Sequence, residues 1–119
     1  MRKKLEELWY GAEEPFLCSA DSEGFDMEED DFEVELVGEA GTLVYGKEDL
    51  IHTDSGEWYV MVVTTALGAG IVTANTTLSI PDELCPGGVR KEVDSQELCF
   101  IRERPRLTFK KYGVCKCNI

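Results

Sequence analysis

Asp26, Glu28 and Asp30 alternate within a run completed by Glu29 and Asp31, and carboxylates at that spacing are the raw material of a calcium loop. An EF-hand loop also needs glycine at its sixth position and glutamate at its twelfth. Asp31 and Val37 stand there instead, so the run is expected to be an exposed connection. His52 is the single histidine. No serine or cysteine motif frames it, and a structural place beside a turn is expected rather than general acid–base work. Cys115-Lys116-Cys117 is shorter than a CxxC zinc knuckle, with no second pair at ligand spacing. Gly87-Gly88 belongs to no strand–GxxxxGK–helix pattern, which argues against a phosphate loop. The expectation is a non-enzyme with no metal, no cofactor and no small-molecule substrate.

Charge is the stronger signal. Residues 1–60 carry 18 acids and 4 bases, residues 61–119 only 6 acids against 8 bases. From Glu13 to Glu39 there are twelve acids and no base, whereas Arg102 to Lys116 holds six bases and one acid, Glu103. One reading is a solvated acidic face that keeps the protein soluble. The sharper expectation is complementarity, the basic tail of one subunit lying on an acidic face of another. If the tail forms an edge strand, Arg102, Arg104 and Arg106 share one face, and Lys110 and Lys111 follow. Three arginines on a face repel unless anions oppose them. A protein carboxylate surface is favoured over nucleic acid, which a net charge of −12 would push away.

The elements that hold these residues are short strands. Trp58 to Ile80 is the one long stretch without a charge, but Gly68, Gly70, Asn75 and five threonines make it a poor membrane span. It divides into a strand over Glu57–Val63, a bend over Thr64–Gly70 and a strand over Ile71–Ile80, expected to be neighbours in one sheet. In the second strand Val72, Ala74, Thr76, Leu78 and Ile80 share a face, with Thr73, Asn75, Thr77 and Ser79 on the other, as in an antiparallel sheet with one wet side. In the first strand both faces are apolar, and Tyr59 and Met61 are expected to meet an arm or a neighbouring subunit.

Elsewhere, Leu5, Leu8 and Trp9 are spaced for a short helix over Lys3–Tyr10, too short to stand alone and therefore expected to dock. Strands are expected over Phe16–Asp21, Phe32–Val37, Thr42–Gly46, Val89–Val93 and Gln96–Ile101, with tight turns at Asp54-Ser55-Gly56 and a loop through Pro81–Gly88. At 119 residues this is one domain. It is divided as an N-terminal helical arm (1–12), a sandwich (13–101) and a basic C-terminal arm (102–119). The fold class is all-β, an immunoglobulin-like antiparallel β-sandwich. The N-terminus has a basic start but no apolar core for a secretory signal, so a cytoplasmic origin and reduced thiols at all five cysteines are expected.

The succession DDFEVEL, DSGEWYVMV, LGAGIVTANTTLSIPDELCPGGVRKEV and QELCFI resembles a small β-sandwich module in structural proteins of phages and prophages of gut bacteria, including crAss-like phages. The resemblance rests on Asp31-Phe32, Leu67-Gly68-Ala69-Gly70, Ile80-Pro81-Asp82 and Gly88-Val89-Arg90, and covers residues 16–101. It implies a tail, baseplate or fibre component made in the host cytoplasm and placed in the virion. Its partners would be other virion structural proteins and further copies of itself, with no membrane and no nucleic acid. The alternative is an acidic inhibitor or immunity-type protein that uses Glu28, Glu29, Asp30 and Asp31 to occupy a basic surface.

Overall fold

The computed structural model describes residues 5–103. These form eight strands: β1 (Glu6–Trp9), β2 (Glu13–Cys18), β3 (Phe32–Val37), β4 (Thr42–Gly46), β5 (Ile51–His52), β6 (Trp58–Val63), β7 (Gly70–Pro81) and β8 (Val89–Arg102). One turn of helix, α1 (Thr64–Leu67), joins β6 to β7. β1, β8, β7, β3 and β4 lie side by side in that order in one sheet; β2, β6 and β5 form the other. Every pairing is antiparallel except that of β1 with β8. The chain is therefore all-β, with two sheets on one core.

Period-two patterning explains why the sheets meet where they do. In β3, Phe32, Val34 and Leu36 are buried and Glu33 is exposed. In β7 the buried positions are Val72, Ala74, Leu78 and Ile80, with the threonine and asparagine face outward as expected. The second sheet answers with Trp58, Val60 and Val62 from β6, and Phe16 and Cys18 of β2 pack alongside. Tyr59, Met61 and Val63, on the other face of β6, are half-buried.

Four expectations need correction. There is no N-terminal helix among the described residues: Glu6–Trp9 is a strand, with Leu8 buried opposite Ile101 and Glu7 and Trp9 facing out. Two turns of helix would leave most of their end groups unpaired, whereas parallel pairing with β8 supplies partners and buries Leu8. Second, β6 and β7 are not neighbours. α1 carries the chain from one sheet to the other, so both strands are central but in different sheets. Third, the two strands expected between Val89 and Ile101 are one, accommodated by a register shift at Val72/Thr73 that leaves Leu98 as the extra residue on β8. Fourth, β2 begins at Glu13 and ends at Cys18, earlier than its alternation suggested.

The crossover is tied down by Thr64, fully buried at the start of α1. Its hydroxyl accepts from the Gly11 N–H at 2.8 Å and donates to the Ala12 carbonyl at 2.7 Å, locking the β1–β2 turn to the β6–β7 turn. Thr64→Val keeps the shape but strips the Gly11 N–H of its acceptor. The expected cost is about 1–3 kcal/mol, read as a lower urea midpoint at unchanged m-value; an unchanged midpoint would show that the hydroxyl bridge carries no stability.

Candidate functional site

Trp58 opens β6 at the end of the sandwich where the acidic loop crosses. The His52 ring stacks on its indole at 3.9 Å between centroids and 10° between planes. Glu28 Oε2 accepts from Trp58 Nε1 at 3.2 Å and lies 3.0 Å from His52 Nε2. Phe32 meets the indole edge-on at 5.5 Å. Lys47 Nζ lies 5.3 Å from the Trp58 ring centroid and 5.7 Å from that of Phe32, and donates to the backbone carbonyls of Glu28 (2.9 Å) and Asp30 (2.8 Å). One cation thus satisfies two loop carbonyls while facing aromatic rings.

The acidic run is organised from within. Asp26 Oδ1 accepts from the Glu28 N–H and Asp30 Oδ2 from the Asp26 N–H, both at 2.9 Å. Glu28 is committed to His52 and Trp58, while Glu29 and Asp31 are exposed. Carboxylates spaced as if for calcium therefore close turns of their own loop. Among the described residues no three His, Cys, Asp or Glu side chains converge as an ion site. His52 makes its side-chain hydrogen bond to Glu28, so the acidic loop is tied to β5 as well as to Trp58 of β6.

The apolar positions fall elsewhere. Tyr59 on the outer face of β6 is flanked in register by Leu17 of β2 and Ile51 of β5, exposed by 58% and 47%. This row crosses all three strands, with Pro15 opposite Met61 beside it. Leu17 and Ile51 were not singled out from sequence; alternation against Phe16 and Cys18 was the available signal for Leu17. At the other end of the sandwich Leu5 is half-buried and Leu8 buried, while Trp9 is 43% exposed. Arg102 Nε donates to Glu7 Oε1 at 2.9 Å. Arg104, Arg106, Lys110 and Lys111 lie outside the described residues.

A second polar cluster closes the β7–β8 end. Arg90 reaches Asp82 (3.3 Å) and Glu92 (3.1 Å), and the Ser22 hydroxyl donates to Glu92 at 2.8 Å. The Leu84 N–H, and then Arg90, hold the Asp82 carboxyl below its ordinary range. Its contribution to the loop is therefore present at neutral pH and lost as pH falls through that lowered value.

Charge is partitioned sharply. All 24 acids fall within residues 5–103, where the only bases are Lys47, Arg90, Lys91 and Arg102. The described body therefore carries −20, and the other eight of the 12 bases lie in residues 1–4 and 104–119. No helix among the described residues is long and apolar enough to cross a membrane.

Comparison with known protein families, with curated proteins and with solved structures finds no match.

Two outcomes follow from this geometry. Lys47→Met strands two loop carbonyls and should lower stability by about 1–3 kcal/mol, with altered near-ultraviolet dichroism from Trp58; retention of both would remove Lys47 as the organiser. Burial, with Glu14 and Glu6 nearby, pushes the Cys99 thiol up to about 11, so it holds less thiolate than an ordinary cysteine at mildly alkaline pH. Peptide mapping should find Cys99 alkylated at least about tenfold more slowly than the half-exposed Cys85, and equal rates would contradict the burial.

Proposed function

We propose that this chain is a non-enzymatic assembly module that acts through protein–protein contacts. The observation that carries the reading is the charge partition: a −20 body whose remaining eight cations all lie in residues 1–4 and 104–119. Such a body repels copies of itself unless basic segments intervene, and the chain carries those segments itself. The outer apolar row of Leu17, Tyr59 and Ile51 adds contact area of the kind that interfaces use.

The strand order supports an immunoglobulin-like reading of the fold. β8, β7, β3 and β4 correspond in order to strands G, F, C and C′ of a variable-type domain, and β2, β6 and β5 to B, E and D. Ala74 of β7 faces the core, and Cys18 and Cys99 are free thiols, so the inter-sheet disulfide of antibody domains has no counterpart. Together with the resemblance carried by Asp31-Phe32, the Leu67–Gly70 bend and Ile80-Pro81-Asp82, this favours a structural part of a phage particle, in the tail, baseplate or fibre.

Light scattering over a range of concentrations tests the reading. The full chain should exceed the mass of one chain, 13.3 kDa, and return to it in about 1 M salt, where the screening length falls to about 3 Å. A variant lacking residues 104–119 should remain monomeric. A full chain that stays monomeric at every concentration and salt would refute self-assembly, and would favour a basic target of another kind for the acidic body.

A further inference from the structure

β8 is paired on one side along almost its whole length with β7, but β1 covers its other side only at Cys99–Arg102. Of the fourteen residues of β8, four are paired with β1, which leaves ten, Val89–Leu98, with no strand beside them among the described residues. An unpaired edge of that length is a template for another extended chain. Next to it, between residues 19–22 and the face of β7 and β8 that carries Thr76, Leu78, Glu92 and Asp94, lies an open groove of about 390 Å³, with Asp21 and Ser22 on its far wall.

The chemistry of this edge selects its occupant. Glu92 and Asp94 face the groove, and Glu97 and the 66%-exposed Val93 the opposite side. Asp21, Asp94 and Glu97 form no ion pair among the described residues. Arg90 and Lys91 stand at its Val89 end, but from Glu92 to Glu97 the edge carries three carboxylates and no base, and such a run disfavours an acidic strand beside it. A strand with bases on one face and apolar side chains on the other would match it. Residues 104–119 contain five bases and no acid. Laid out with period two, Arg104, Arg106 and Lys110 share a face with Thr108, and Leu107 and Phe109 share the other.

Resting on the assembly reading above, we propose that residues 104–119 of one copy add as a strand to the open β8 edge of a second copy. Their basic face then meets Asp21, Glu92 and Asp94 across the groove, and Leu107 and Phe109 cover Val93. Sixteen extended residues span up to about 53 Å, and a ten-residue edge is about 33 Å long, so the segment is long enough to leave its own body first. A hairpin return directly after Arg102 would meet β1, which occupies the position beside Cys99–Arg102. The segment leaves β8 at the Arg102 end and the open edge extends toward Val89, so each copy donates at one end and accepts at the other. That is a head-to-tail contact, which closes as a ring or propagates as a filament.

The test places a benzophenone photocross-linker at Phe109 in the full chain, mixes isotopically heavy and light copies, and maps the cross-links by mass spectrometry. Cross-links joining heavy to light chains at residues 89–98 or 19–22 are expected. They should be lost, together with the oligomer, in the double variant V93K/D94K, whose sites are exposed and whose folding is checked by circular dichroism. Cross-links confined to single copies would overturn the exchange between copies. An oligomer that persists with cross-links elsewhere, or survives V93K/D94K, would overturn the edge while leaving the assembly reading intact. A monomer without cross-links would overturn both.

Discussion

The carbonyl of Leu67 accepts the N–H of Ala40 at 2.8 Å, and the closeness this demands exists only because residue 38 has no side chain. A Cβ at Gly38 would fall 2.3 Å from that oxygen, well inside contact distance. The β3–β4 turn and the β6–β7 crossover are thereby pressed together at one end of the sandwich, with Leu67 fully buried between them. Because α1 is the passage from one sheet to the other, this contact fixes how β6 lies over β7 and β3. The shared core of Leu36, Val62, Val72 and Ile101 depends on that placement. The opposite end is held differently, by Lys47 and Trp58 gathering the acidic loop.

What could be seen in the sequence was whatever is local. The alternation of Phe32–Leu36 and of Val72–Ile80 identified β3 and β7 together with their inward faces, because period two is written into a single segment. The N-terminal segment misled for the same reason. Leu5, Leu8 and Trp9 fit a helical spacing, but only Leu8 needs burial, and its partner Ile101 is remote in the chain. Likewise nothing in Glu57–Ile80 says that a one-turn helix will change sheets. Neighbouring strands usually pair, and here the intervening turn prevents it.

The site was legible in composition and opaque in geometry. Acid-only and base-rich stretches could be read directly, and so could the two apolar faces of β6. That Glu28 would bond the ring nitrogens of His52 and Trp58 could not, because those residues meet through three separate elements. Sequence reasoning treated Glu28, Glu29, Asp30 and Asp31 as one exposed patch. The fold gives them different tasks: Asp30 closes its own loop, Glu28 ties that loop to His52 and Trp58, and Glu29 and Asp31 face solvent. The surface pairs among the described residues are each worth at most about 1 kcal/mol, so the concentration of negative charge is opposed mainly by the core.

The parallel pairing of β1 with β8 also sets an order of events. Glu6 lies opposite Cys99, so the first strand has its partner almost a full domain length later in the chain. On a chain synthesised from its N-terminus, β3, β4 and β6 can begin to associate early, but β7 lacks β8 on one side and β1 has nothing to pair with until the last strand emerges. Contacts of such sequence separation are slow to form because the loop they close is long. The larger sheet is thus complete only once β8 is in place between β7 and β1. In any half-formed state the twelve acids and no base of residues 13–39 are the kind of charge that discourages association of exposed strands.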